Sequence, residues 1–153
     1  MGTILQRASV RTLVCAVLTV LVTTTANAHV RVHPMESRPG ATETYTVTVP
    51  TEGKVATVKV EIVVPAGVQL LSVDDAKPHS MRKGEAGTSI ITWQEEIPPA
   101  NAREFIFTAR NPQAGSEISW QAHQFFADGS EADWVEATGG KRPASITKLV
   151  PAP

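Results

Sequence analysis

TETYTVTVPTEGKVATVKVEIVV, residues 42–64, is the stretch that sets the fold class. In its first half Tyr45, Val47 and Val49 alternate with threonines. After the break Pro50-Thr51-Glu52-Gly53, the second half sets Val58, Val60, Ile62 and Val64 opposite Thr57, Lys59 and Glu61. Successive side chains of a strand point to opposite faces, so period two reads as a half-buried strand. Two such runs with a short turn between them predict a hairpin.

The same alternation recurs outward from this stretch. It is found in VQLLSV (68–73), TSIITWQE (88–95), REFIFTA (103–109), EISWQAHQFFAD (117–128) and SEADWVE (130–136), with Pro, Gly or Asn in the gaps. From His29 onward no window of about 11 residues has apolar positions at helical spacing, and β-branched residues dominate the runs. The expectation is an all-β fold, an antiparallel β-sandwich of about eight or nine short strands of the immunoglobulin or cupredoxin kind. Within 117–128 the core face reads as Ile118, Trp120, Ala122, Gln124 and Phe126, with Gln121, His123 and Phe125 opposite and Asp128-Gly129 as a hairpin turn. Trp93 and Trp120 read as core.

Ahead of this domain stand Arg7 and Arg11, an apolar run from Thr12 to Val22, and Ala26-Asn27-Ala28. A basic start, a short apolar middle and small residues three apart predict a signal peptide over 1–28, cleaved to expose His29. The predicted domain runs from 29 to 140, and 141–153 is expected to be a short C-terminal strand or a loose tail. The location that follows is periplasmic or secreted, with no stable membrane anchor in the processed chain.

The single cysteine, Cys15, lies in the apolar run, so the processed chain holds together by its core without disulfides. Two of the 14 basic residues precede His29 and none of the 15 acidic ones does, which leaves a net charge near −3. That balance excludes a nucleic-acid footprint. Hydrolase chemistry finds no support either: there is no G-x-S-x-G elbow, and the pairs Asp74-Asp75 and Glu95-Glu96 fall in or beside turns with no histidine nearby in sequence.

An amino-terminal histidine offers chemistry no internal histidine has. Its α-amine and Nδ1 close a chelate ring on one metal ion, and nitrogen donors favour copper(II) among divalent first-row ions. The third processed residue is Arg31, so the copper motif that needs histidine there is absent. His33 lies on the same face of a strand-like HVRVH, about 13 Å away at roughly 3.3 Å per residue.

The opening HVRVHPMESRPGATETYTVTVPTEG resembles the YcnI-like copper-binding family, as do VKVEIVVPAGV (58–68), the Ile-Thr-Trp of 91–93, REFIFTARNP (103–112) and QFFADGSEADWVEA (124–137). What the resemblance implies is one copper(II) ion held by the amine and ring nitrogen of His29 and by Glu36, with Trp134 beside the site. The chain departs from the family pattern at His79 and Met81, where many members have Gly-Trp, and it shows no carboxyl-terminal membrane segment. His123 reads as a hydrogen-bonding residue on an exposed face.

Geometry sets a condition, since seven residues of unbroken strand would separate Glu36 from His29 by about 23 Å. The chain must bend, and Pro34 is the place for it. The function these readings favour is an exported, non-enzymatic copper(II)-binding protein that sequesters copper or delivers it to another exported chaperone or transporter. The alternatives are a copper-dependent monooxygenase, which needs a second histidine as third nitrogen, and a metal-free β-sandwich interaction module.

Overall fold

The computed structural model describes residues 29–151; the predicted signal peptide and its cleavage site lie outside the described residues. Eleven strands follow in chain order: β1 (Arg31–His33), β2 (Glu36–Ser37), β3 (Thr42–Pro50), β4 (Thr57–Val64), β5 (Gln69–Val73), β6 (His79–Lys83), β7 (Ser89–Trp93), β8 (Ala102–Arg110), β9 (Glu117–Phe126), β10 (Glu131–Trp134) and β11 (Ser145–Leu149). One 3-10 turn, Glu85–Gly87, interrupts them, and the described residues contain no α-helix. No helix among them is long and apolar enough to cross a membrane.

The strands form two sheets, a four-stranded one in the order β1-β3-β8-β5 and a seven-stranded one in the order β2-β11-β9-β4-β7-β6. In the second sheet β11 and β10 pair in succession along the same edge of β9, opposite β4. The period-two faces meet between the sheets: Tyr45, Val47 and Val49 from β3, Phe105 and Phe107 from β8, Val60, Ile62 and Val64 from β4, and Trp120 from β9 are all buried. Tyr45 lies 4.7 Å from Trp120 and 5.3 Å from Phe107, centroid to centroid, and Trp93 stacks on Phe105 at 4.8 Å. Such aromatic pairs add about 0.5–1.5 kcal/mol each beyond the area they bury.

The Tyr45 hydroxyl donates to the Asn111 side-chain oxygen. Burial pushes its pKa up to about 12, helped by the nearby Glu43 charge and opposed by that hydrogen bond. At the far end of β9 the expected hairpin turn forms with Gly129 at φ +85, and the Ser130 hydroxyl and backbone amide hold the Asp128 carboxyl below its ordinary range.

Two expectations are corrected. The runs 42–49 and 55–64 do not form a hairpin: β3 pairs with β1 and β8, β4 with β7 and β9, and residues 51–56 cross from one sheet to the other. Six residues exceed the short loops that fold strands back on themselves, and both inward rows find better cover facing each other. The alternation in β4 also slips at its start, where a bulge against β9 turns Thr57 inward and leaves Val58 exposed.

Two further strands carry no apolar alternation. β6 is a sheet edge whose side chains are exposed apart from a half-buried His79. Within 141–153, β11 is a strand held between β2 and β9, parallel to the first and antiparallel to the second.

Candidate metal centre

The site begins where the chain changes sheets. β1 pairs with β3 in the four-stranded sheet, and three residues later β2 pairs with β11 in the seven-stranded one. The turn between them is Pro34-Met35, with a cis His33–Pro34 peptide. It is pinned at both carbonyls: Thr147 Oγ1 donates to Pro34 O at 2.8 Å, and Lys148 N donates to Met35 O at 2.9 Å. The bend that the separation of His29 and Glu36 requires is therefore present, and at Pro34.

Its consequence is that His29, just ahead of β1, and Glu36, the first residue of β2, line one cavity of about 570 Å³. Met35, Glu117, Ser145 and Lys148 line it as well. The Glu36 side chain is exposed, whereas its neighbour Ser37 turns inward and is fixed there. The Ser37 hydroxyl donates to the Glu43 carboxylate and accepts from Asn111 Nδ2 at 2.9 Å. Period two then aims Glu36 outward into the cavity. Lys148 stands between Glu36 and Glu117 in the strand register, so a cation flanks the candidate carboxylate ligand.

The third residue of the expected site comes, like Glu36, from the seven-stranded sheet. Trp134 ends β10, and its ring lies 5.5 Å from the His29 imidazole with the planes inclined at 60°. It is 7% exposed, so a buried indole packs against a half-buried His29. Its N–H does not face the imidazole; it donates to Gln124 Oε1 at 3.2 Å.

None of the remaining histidines lines the cavity of His29 and Glu36. His33 borders a second hollow, of about 720 Å³, that His29 also lines. His123 holds Asp133 at 2.6 Å on the outer face of the seven-stranded sheet. His79 lies in β6 with Nδ1 3.1 Å from Lys77 O, and its neighbour Met81 is exposed on the same edge strand. Among the described residues no three side chains of His, Cys, Asp or Glu converge as a metal site. His29 and Glu36 thus share one cavity, where a free α-amine on His29 would add a nitrogen donor.

Ser37, Asn111, Gln124 and Lys148, which position or flank the site, did not emerge as such from the sequence. The inward placement of Gln124 in β9 was visible in the alternation, but its partners were not.

Residues 29–153 match the family model described as a domain of unknown function, DUF1775. The chain belongs to the DUF1775 family. This DUF1775 chain is also 33% identical, over 135 residues, to the copper-binding protein CutI of Bacillus subtilis strain 168. The alignment takes in 85% of this chain and 66% of CutI, so the chain spans just under two thirds of that relative's length. Together the two matches bear out the resemblance to the YcnI-like copper-binding family.

Among solved structures, an uncharacterized protein from Nocardia farcinica with an immunoglobulin-like fold superposes with a TM-score of 0.63 at 20% identity, covering 80% of this chain and 98% of that one. The sixth cohesin of scaffoldin B from Acetivibrio cellulolyticus gives 0.52 at 10% identity, with the same coverage. At these identities the likeness establishes the fold alone, an immunoglobulin-like β-sandwich.

Proposed function

We propose that this DUF1775 domain, released from residues 1–28 outside the cytoplasm, binds one copper(II) ion at its new amino terminus and sequesters it or hands it on. The observation that carries the reading is the cavity shared by His29 and Glu36, with the Trp134 ring against the imidazole. Its relation to the copper-binding protein CutI points the same way.

The donor set fits the ion. A free α-amine and the His29 Nδ1 supply two nitrogens from one residue, and Glu36 supplies an oxygen; such donors suit copper(II), whereas copper(I) prefers thiolate and thioether sulfur. The buried indole covers the imidazole from the inside and limits water on that side. Glu36 faces solvent, so a partner, another exported chaperone or transporter, displaces the carboxylate first and reaches the amine last. An ion held this way is passed on by ligand exchange and needs no turnover.

Against the monooxygenase reading, none of the other histidines lines the cavity of His29 and Glu36: His123 is engaged by Asp133, His79 lies on the β6 edge, and His33 stands four residues along the strand from His29, about 13 Å at roughly 3.3 Å per residue. Calorimetric titration of the chain starting at His29 is expected to show one copper(II) site that His29→Ala abolishes. Undiminished binding by His29→Ala overturns the proposal.

A further inference from the structure

Gln124 is an amide in an apolar row. Its neighbours on the inward face of β9 are Ile118, Trp120 and Ala122, and it is itself 2% exposed. A buried amide is costly unless its donors and acceptor are matched, and here they are. Nε2 donates to Pro50 O at 2.9 Å and to Thr57 Oγ1 at 2.6 Å, while Oε1 accepts the indole N–H of Trp134. Thr57 Oγ1 is paired in turn with Thr51 Oγ1 at 2.7 Å. Pro50 ends β3 in one sheet, whereas Thr57, Gln124 and Trp134 belong to the other. A single side chain thus ties both sheets together and holds the ring that meets His29.

Packing leaves that ring something to be held against. A cavity of about 260 Å³, lined by Gln124, Phe126, Ala132 and Arg142, adjoins Trp134, so close packing does not enclose the indole on every side. A hydrogen bond is directional where apolar contact is not, and the bond to Gln124 gives the indole such a directional contact.

We infer that Gln124 is a positioning residue for the metal centre: through the indole N–H it sets the plane of Trp134 against the His29 imidazole, and with it the direction in which that imidazole presents its nitrogen to a metal ion. The effect on metal binding rests on the copper(II) reading above. The positioning of the two rings does not.

The test uses the chain starting at His29 and its Gln124→Met, Trp134→Phe and doubly substituted variants. Methionine keeps the length and approximate volume of glutamine while removing its polar atoms. In the metal-free protein, Gln124→Met is expected to shift the NMR resonances of the His29 ring protons, which feel the indole ring current, and to leave the Trp93 indole signal in place. In the copper(II) titration it is expected to weaken binding about tenfold, the low end of what residues supporting a metal ligand contribute. In the Trp134→Phe background, where no N–H remains to be held, Gln124→Met is expected to cost no further affinity.

Unshifted His29 resonances, or an equal loss in the Trp134→Phe background, overturn the inference, because the amide then acts on the fold alone. If the wild-type chain binds no copper(II), the copper reading falls and the ring shift alone decides the positioning. Should Gln124→Met fail to fold, hydrogen exchange in the wild type decides: the Trp134 indole proton is expected to be protected, and rapid exchange overturns the inference.

Discussion

The His29 imidazole and the Trp134 indole touch across the sandwich, ring centroids 5.5 Å apart, although one precedes a strand of the four-stranded sheet and the other ends a strand of the seven-stranded sheet. A copper(II) ion on His29 would therefore sit beside the Trp134 indole. Copper(II) is expected to quench part of the tryptophan fluorescence, and Trp134→Phe is expected to remove most of that quenching. Unchanged quenching in Trp134→Phe would place the ion elsewhere.

Glu36 contributes an oxygen from an exposed strand end, where its loss leaves no buried group stranded. Glu36→Gln is expected to lower copper(II) affinity by about tenfold, or about 1.4 kcal/mol, with the thermal midpoint of the metal-free protein unchanged. Equal affinity in Glu36→Gln and wild type removes the carboxylate from the site.

Metal binding by an amine releases its proton. A free α-amine titrates near ~8, so copper(II) affinity is expected to fall about tenfold for each pH unit below that value. Competition titrations across this range test it, and a flat profile argues against the amine as a ligand.

Tyr45, the one tyrosine of the chain, reports on the core independently of the metal. Its pKa is raised in the folded state from 10.0 to about 12, chiefly by burial, so the neutral hydroxyl is favoured there. Its contribution to stability is thus complete below pH 10 and lost as pH rises through about 12. Tyrosinate absorbance is expected to stay low until the fold gives way in that window. Tyr45→Phe is expected to cost about 1–3 kcal/mol in denaturant unfolding, because it strips the partner from the buried Asn111 oxygen.

Strands with one buried face were legible in the sequence, because burial of that face imposes the alternation seen in β3, β8 and β9. The same logic hid β6, an edge strand with almost nothing to bury, and it said nothing about pairing, which is why β3 and β4 read as a hairpin. Alternation shows which side chains face inward but not which strand lies alongside. For the site, His29 stood out by its chemistry, and Pro34 as the needed bend. The meeting of His29 with Trp134, and the clamp at Gln124, depend on contacts between sheets that no local pattern carries.

The proposed metal centre depends on the α-amine of His29 as a ligand. The direct measurement is electron paramagnetic resonance of the copper(II)-loaded chain starting at His29, beside the same chain carrying one additional residue before it. The expected result is one tight site with nitrogen couplings in the first protein and its loss in the second, where the amine has moved off His29. Identical spectra and affinities from the two proteins would remove the α-amine from the metal centre.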